Sequence, residues 1–183
     1  MTIGLTHATI YLVQFRRKAV EYTSCAFTGH RHVNPNHEKK LPGMLSRAVA
    51  YAYSKGCRKF LAGGAIGFDT LAACEVIRFK MSHSDVSLVL VLPCENQSER
   101  WSHSQKEMYN YVISNSDEVV FISERYTPCC MRERNKYLAE NSDILISYVA
   151  RSNSGSAQTV RMAKERGKEI HNIYPALEKI EMP

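Results

Sequence analysis

The chain has 183 residues, with 24 Lys and Arg against 18 Asp and Glu and a formal charge of +6. Apolar residues make up 44% and aromatics 9%, too much for wholesale disorder and enough for one compact domain, which buries roughly 70% of its extended surface at this size. The longest clear apolar run, residues 86–93, falls far short of the roughly 20 that cross a bilayer.

In residues 1–21 an apolar stretch at 10–13 is followed by Arg16, Arg17 and Lys18, the reverse of the order in a signal peptide. The segment is read as a leader or peripheral element, or as the product of a misassigned start codon. From Tyr22 onward, short strand-like runs alternate with helical patterns. Residues 22–28 form the first apolar run and end in Gly29. Leu41–Ser54 carries an i, i+4, i+7/8 apolar face, with Pro42 suited to a first helical turn and Gly56 to a stop. Lys59–Ala62 predicts a second strand running into Gly63 and Gly64. The pattern at 70–81 is helical, with Asp69 placed to cap it.

Residues 86–92 are continuously apolar and rich in Val and Leu, as expected of a parallel strand covered on both faces. Helices follow at 103–113, 131–140 and 155–166, alternating with strands at 118–122, 144–149 and 169–173. The end after Pro175 reads as a short tail over 176–183. Regular βα alternation implies right-handed crossovers and helices on both faces of the sheet. The expected architecture is α/β: a Rossmann-like three-layer sandwich, with a mainly parallel sheet of about six strands in a single domain over 22–175.

Charge is uneven along the chain: residues 23–60 carry 7 positive and 1 negative side chains, and residues 61–124 carry 4 and 9. A basic stripe is the footprint of a nucleic-acid binder, but no recognised reading motif accompanies this one, and a solvated face plus a small-anion pocket is preferred. The six cysteines form no CxxC pair, and most sit in or beside apolar segments as core thiols. Cys129 and Cys130, at a helix start after Pro128, are the one place for a lowered thiol pKa. His30, His32 and His37 lack a matching cysteine or acidic partner, so a hydrogen-bonding loop is preferred to a zinc site.

Ligands of open α/β sheets bind beyond the carboxyl ends of the strands. There the sequence sets Gly29, His30 and Arg31 after the first strand, and a glycine-rich turn with Gly63, Gly64, Gly67, Phe68, Asp69 and Thr70 after the second. The third strand leads to Glu95 and Gln97 with Trp101 beyond, and the fifth to Ser154, Gly155, Ser156 and Thr159. The glycines permit close backbone approach to an anion, and the helix starting near Thr70 offers N–H groups to phosphate. Neither the Walker pattern nor a strict GxGxxG is present. Arg31 offers a planar fork for phosphate oxygens. Arg134 lies near the strand ends, with Asn135 in a supporting or structural role. Asp69 serves either as helix cap or as partner to a ribose hydroxyl. Ser156 and Thr159 serve either as caps or as phosphate donors, and Trp101 either stacks on a base or packs.

These phrases, CAFTGHR at 25–31, GGAIGFDTLAA at 63–73, MRERNKYL at 131–138 and SGSAQTVRMAKERGKEI at 154–170, resemble the YpsA-like family of the SLOG superfamily. That superfamily also has DprA-like and cytokinin-activating phosphoribohydrolase-like branches. The resemblance spans about residues 22–174 and implies a Rossmann-like fold with a nucleotide or nucleotide-derived ligand. The hydrolase branch uses an arginine in a Met-x-x-Arg helix, matched by Met131 and Arg134, and a glutamate in a Pro-Gly-Gly-x-Gly-Thr-x-x-Glu loop. The second element is degraded here, with Arg161 just beyond it and no Glu, so Glu95 or Asp69 would have to supply a carboxylate.

The expectation is therefore a cytoplasmic binder of a phosphate-containing nucleotide, acting as sensor or regulator without a required cofactor or metal. The alternatives are hydrolysis of an N-glycosidic bond, with Arg134 and Glu95 as catalytic candidates, or a single-stranded DNA-binding accessory role. Homodimerisation is common among open sheets of this kind, although no sequence feature specifies it.

Overall fold

A computed structural model describes residues 22–179; the leader proposed for residues 1–21 lies outside them. Strands β1 (Ser24–Gly29), β2 (Lys59–Ala62), β3 (Ser87–Leu92), β4 (Glu118–Phe121), β5 (Ile144–Tyr148) and β6 (Glu169–Asn172) alternate with helices. These are α1 (Leu41–Ser54), α2 (Phe68–Lys80), α3 (His103–Ser114), α4 (Cys130–Glu140) and α5 (Gly155–Glu165), with α6 (Tyr174–Lys179) after the last strand. The strand order is β4-β3-β2-β1-β5-β6, and every neighbouring pair is parallel. The chain steps from β1 outward to β4 at one edge, then crosses back to lay β5 against the free side of β1. The sheet therefore reverses direction between β1 and β5, and loops that follow those strands diverge there to leave a crevice.

Side-chain alternation distributes the strands between two cores. Cys25, Phe27, Phe60, Leu88, Leu90 and Ile146 face the layer that contains α1, α2 and α3. Ala26, Leu61, Val89, Val91 and Leu145 face the layer of α4 and α5, where Leu138, Ala139 and Ala163 meet them. Both faces of β3 are covered, which is why its sequence is apolar without alternation. Phe27 and Phe60 stack at 6.1 Å across β1 and β2. Among the described residues, no helix is long and apolar enough to cross a membrane.

Two local expectations are corrected. Helix α2 begins at Phe68, before Thr70, and Gly67 (φ +82°) is its N-cap, so Asp69 lies inside the first turn and caps nothing. The left-handed backbone at Gly67 completes the turn before Asp69 is reached. The tail read after Pro175 begins as helix, and Leu177 is fully buried against the α1–α3 layer. Proline in a first helical turn is permissive, since its missing N–H has no intrahelical partner there. Tyr174 anchors the start of α6, its ring 4.9 Å from those of His37 and Tyr148.

If α6 is an integral part of the domain, Leu177→Ala will remove a buried side chain and cost roughly 2–4 kcal/mol. That corresponds to a Tm lowered by about 5–15 °C in a domain of this size. Thermal unfolding followed by circular dichroism checks it, and an unchanged Tm would show that α6 adds nothing to the core.

Candidate functional site

The crevice at the sheet reversal is a cleft of about 330 Å³. Its walls come from the end of β1 with His30 and Arg31, the turn after β2, the first turns of α4, and the start of α5 with Ser154, Gly155 and Ser156. Two glycines shape the turn after β2. A Cβ on Gly63 would lie 1.6 Å from a guanidinium nitrogen of Arg134 and 2.6 Å from a carboxylate oxygen of Asp69. At Gly67 a Cβ would meet the Arg31 carbonyl at 2.1 Å, in a backbone conformation that L side chains rarely adopt. The turn thus lets two segments approach more closely than any side chain would permit.

The floor of the cleft is a buried ion pair. Arg134 Nη1 donates to Asp69 Oδ2 at 3.3 Å and to the Gly63 carbonyl at 2.7 Å, while Arg134 Nε donates to Asn135 Oδ1 at 3.0 Å. Asn135 Nδ2 in turn donates to the Gly155 carbonyl at 3.2 Å, which ties α4 to the start of α5. Both charged side chains are at most one-tenth exposed. Burial pushes the Asp69 carboxyl up, and Arg134 with the Ala65 and Gly29 backbone pulls it back. Burial likewise pushes the Arg134 guanidinium down against the attraction of Asp69. A guanidinium stays protonated at any ordinary pH, so Asp69 is the member that titrates. Arg31 acts electrostatically on both, which puts a second positive charge at the cleft.

Helix α5 supplies uncharged donors. Ser154 Oγ accepts from the Ala157 N–H at 3.1 Å and Ser154 O from Gln158, while the N–H groups of the first helical residues, Gly155 and Ser156, have no intrahelical acceptor. Asp69 is the one carboxylate among the lining residues, against two guanidinium groups. His30 Nε2 accepts from the Ala150 N–H at 2.8 Å, and burial followed by the charge of Arg151 holds its pKa down, consistent with a neutral ring. The cleft thus brings together two cations, helix-terminal N–H groups and small residues, the elements from which anion sites are commonly built.

Other predicted residues lie elsewhere. Phe68 is fully buried and stacks on Tyr148 at 5.4 Å. Thr70 Oγ1 donates to the Ala65 carbonyl at 2.7 Å, and Gln97 Nε2 to the Gly64 carbonyl at 3.0 Å, so both buttress the glycine turn. Trp101 packs edge-on against Tyr109. Thr159 is fully buried, with Oγ1 donating to the Gly155 carbonyl one turn back. Glu95 is exposed on the loop after β3 and is not brought to the cleft. His37 is buried with Nδ1 2.7 Å from the Tyr148 hydroxyl, whereas His32 is exposed. Among the described residues, no group of three or more His, Cys, Asp or Glu could hold a metal ion. The Asp69–Arg134 partnership, across 65 positions, has no local sequence signal.

A family model described as the YspA SLOG family matches residues 25–180, and the chain belongs to that family. The uncharacterised SPbeta prophage-derived protein YoqJ of Bacillus subtilis strain 168 is 25% identical over 131 residues, covering 64% of this chain and 77% of the relative. A UPF0398 protein of Bacillus cereus strain G9842 is 27% identical over 133 residues, covering 71% of this chain and 72% of the relative. Among solved structures, DNA processing protein A of Streptococcus pneumoniae superposes with a TM-score of 0.60 at 18% identity over 83% of this chain, which spans half of that one. The Helicobacter pylori protein of the same name, described for its single-stranded DNA binding mode, gives 0.59 at 19% identity over 90% of this chain and 76% of that one. At these identities the structural likeness shows the fold.

Arg134→Met will leave the Asp69 carboxylate buried without its partner, at a cost of about 3–5 kcal/mol near neutral pH. Because burial already raises the folded-state pKa of Asp69, the variant's deficit is smallest below the unfolded value of about 3.9 and grows as pH rises through the folded one. Asp69→Asn combined with Arg134→Met removes both charges and will recover much of the loss. Urea unfolding of the three proteins across pH checks this, and a pH-independent deficit in Arg134→Met would contradict it.

Proposed function

We propose that this member of the YspA SLOG family binds a phosphate-bearing nucleotide or nucleotide derivative in the cleft between β1 and β5, as a sensor or regulator. The observation that carries the reading is the junction of Arg31 with the open N-terminal turn of α5 over the buried Asp69–Arg134 pair. A phosphate there would accept from the Gly155 and Ser156 N–H groups and pair with the Arg31 fork, two complementary sources of charge-assisted hydrogen bonds. Asp69 would stand within the same cleft as the acceptor for a ribose hydroxyl. The nucleotide character of the ligand is what the resemblance to SLOG proteins implies.

Arg31 is exposed and outside the core, so Arg31→Ala is expected to keep the wild-type Tm and to weaken nucleotide binding at least tenfold. The measurement is mass spectrometry of small molecules released from purified protein, followed by calorimetric titration of the stripped protein with a nucleotide panel. No released nucleotide and no binding at millimolar concentrations would overturn the reading. Single-stranded DNA, titrated at low and high salt in the same series, tests the role suggested by the Helicobacter pylori likeness, for which a steep salt dependence is the signature.

One observation favours a second reading, hydrolysis of an N-glycosidic bond. Asp69 lies in the cleft with its carboxyl pushed up by burial, as suits a proton donor to a departing base. On that reading, water attacks the anomeric carbon as the bond to the base breaks, Asp69 gives its proton to the departing base and regains one from the attacking water, and the products are free base and ribose phosphate. Asp69→Asn would then abolish base release seen by chromatography even at nucleotide concentrations that restore occupancy, and Glu95→Gln would retain it. Wild-type protein that returns bound nucleotide intact would eliminate turnover and keep the binding role.

A further inference from the structure

Arg31 borders a second hollow. On its other side, a trough of about 550 Å³ lies over the N-terminal parts of α1, α2 and α3. The two spaces share Arg31 as a common wall and differ in chemistry. The cleft is lined by small and polar groups, and its apolar side chains are those of Ala65 and Met131. At about 330 Å³ it also sits at the lower edge of the roughly 300–1,000 Å³ typical of small-molecule sites. It suits a sugar phosphate, but gives a flat heteroaromatic ring little apolar surface to cover its faces.

The trough has that surface. Leu71 on α2 and Met108 on α3 are 39% and 46% exposed, and Ile66 and Val33 continue the apolar lining. Cys74 Sγ lies 3.7 Å from Met108 Sδ, so the thioether is held against α2. Glu38 and Gln105 provide polar groups beside the apolar ones. Gln105 Oε1 already accepts from the Ser102 N–H at 3.0 Å, so its amide N–H groups are its remaining donors. Large exposed apolar side chains next to a polar anion receptor are the pairing expected of a site for a ligand with an ionic end and an apolar body.

We propose that the trough is the base subsite of the ligand. The sugar phosphate occupies the cleft, and an amino-bearing purine passes Arg31 to lie against Leu71 and Met108, its amino group donating to Glu38 and its ring nitrogens accepting from Gln105. This assignment rests on the nucleotide reading of the cleft and specifies which part of the ligand lies where.

The test is titration of the full-length stripped protein with ribose 5-phosphate and with AMP. The wild type will bind AMP about tenfold more tightly than ribose 5-phosphate, because the base removes apolar surface from water. Leu71→Ala combined with Met108→Ala, two exposed and uncharged truncations, will bring AMP to the affinity of ribose 5-phosphate while leaving the sugar phosphate affinity and Tm unchanged. A folded double variant that holds AMP as tightly as the wild type, or that loses both ligands equally, would overturn the base subsite while wild-type binding upheld the cleft. A wild type that binds neither ligand would overturn both assignments.

Discussion

The walls of the cleft at the carboxyl edge of this sheet are organised around one buried guanidinium. Arg134 reaches from α4 under the turn after β2, where a carbonyl and a carboxylate receive it. Taking that charge out of water is costly, and apolar packing of equal volume would often be more stable. The pair therefore fixes geometry at some expense to stability, joining α4, the glycine turn and α2 through directional bonds. Asn135 extends the network to the start of α5, so the walls of the cleft are bonded to one another as well as to the sheet.

That constraint propagates into sequence. Gly63 has no room for a Cβ because Arg134 and Asp69 fill the space, and Gly67 must turn where Arg31 crosses it. The glycines that in isolation suggest contact with a phosphate are required by protein groups already present. What the cleft offers instead is a balance of charge, with Arg31 and Arg134 beside a single carboxylate whose proton affinity burial has raised. Helix α5 adds N–H groups to the cleft wall without adding charge.

Much of the fold was legible because burial imposes simple patterns. The unbroken apolar run of β3 records two covered faces, and Pro42 with Gly56 bounds α1 as its sequence implied. The glycine loops fall at the carboxyl edge of the sheet, as βα alternation alone requires. What escaped local reading were relations between distant residues. Asp69 has the look of a cap one position before a helix, and only the left-handed turn at Gly67 makes it a buried acid. Thr159 and Gln97 resemble ligand donors, but their hydrogen bonds go to Gly155 and Gly64 carbonyls. Pro175 suggested an end because its role as an early helical residue depends on Leu177 finding a place in the core.

The position of β1 has a consequence for the order of assembly. One neighbour, β2, follows it closely in sequence, whereas the other pairs Cys25 with Ile144. Asp143, just ahead of β5, accepts from both the backbone and the hydroxyl groups of Thr23 and Ser24, so the late strand also secures the beginning of the early one. During synthesis the first four strands can pair while β1 remains an uncovered edge, the kind of surface that invites adventitious strand addition. Arrival of β5 closes that edge and, in the same motion, brings α5 opposite Arg31. Completion of the cleft walls and protection of the nascent sheet are therefore acquired together, so a chain whose cleft has formed has already passed its most aggregation-exposed stage.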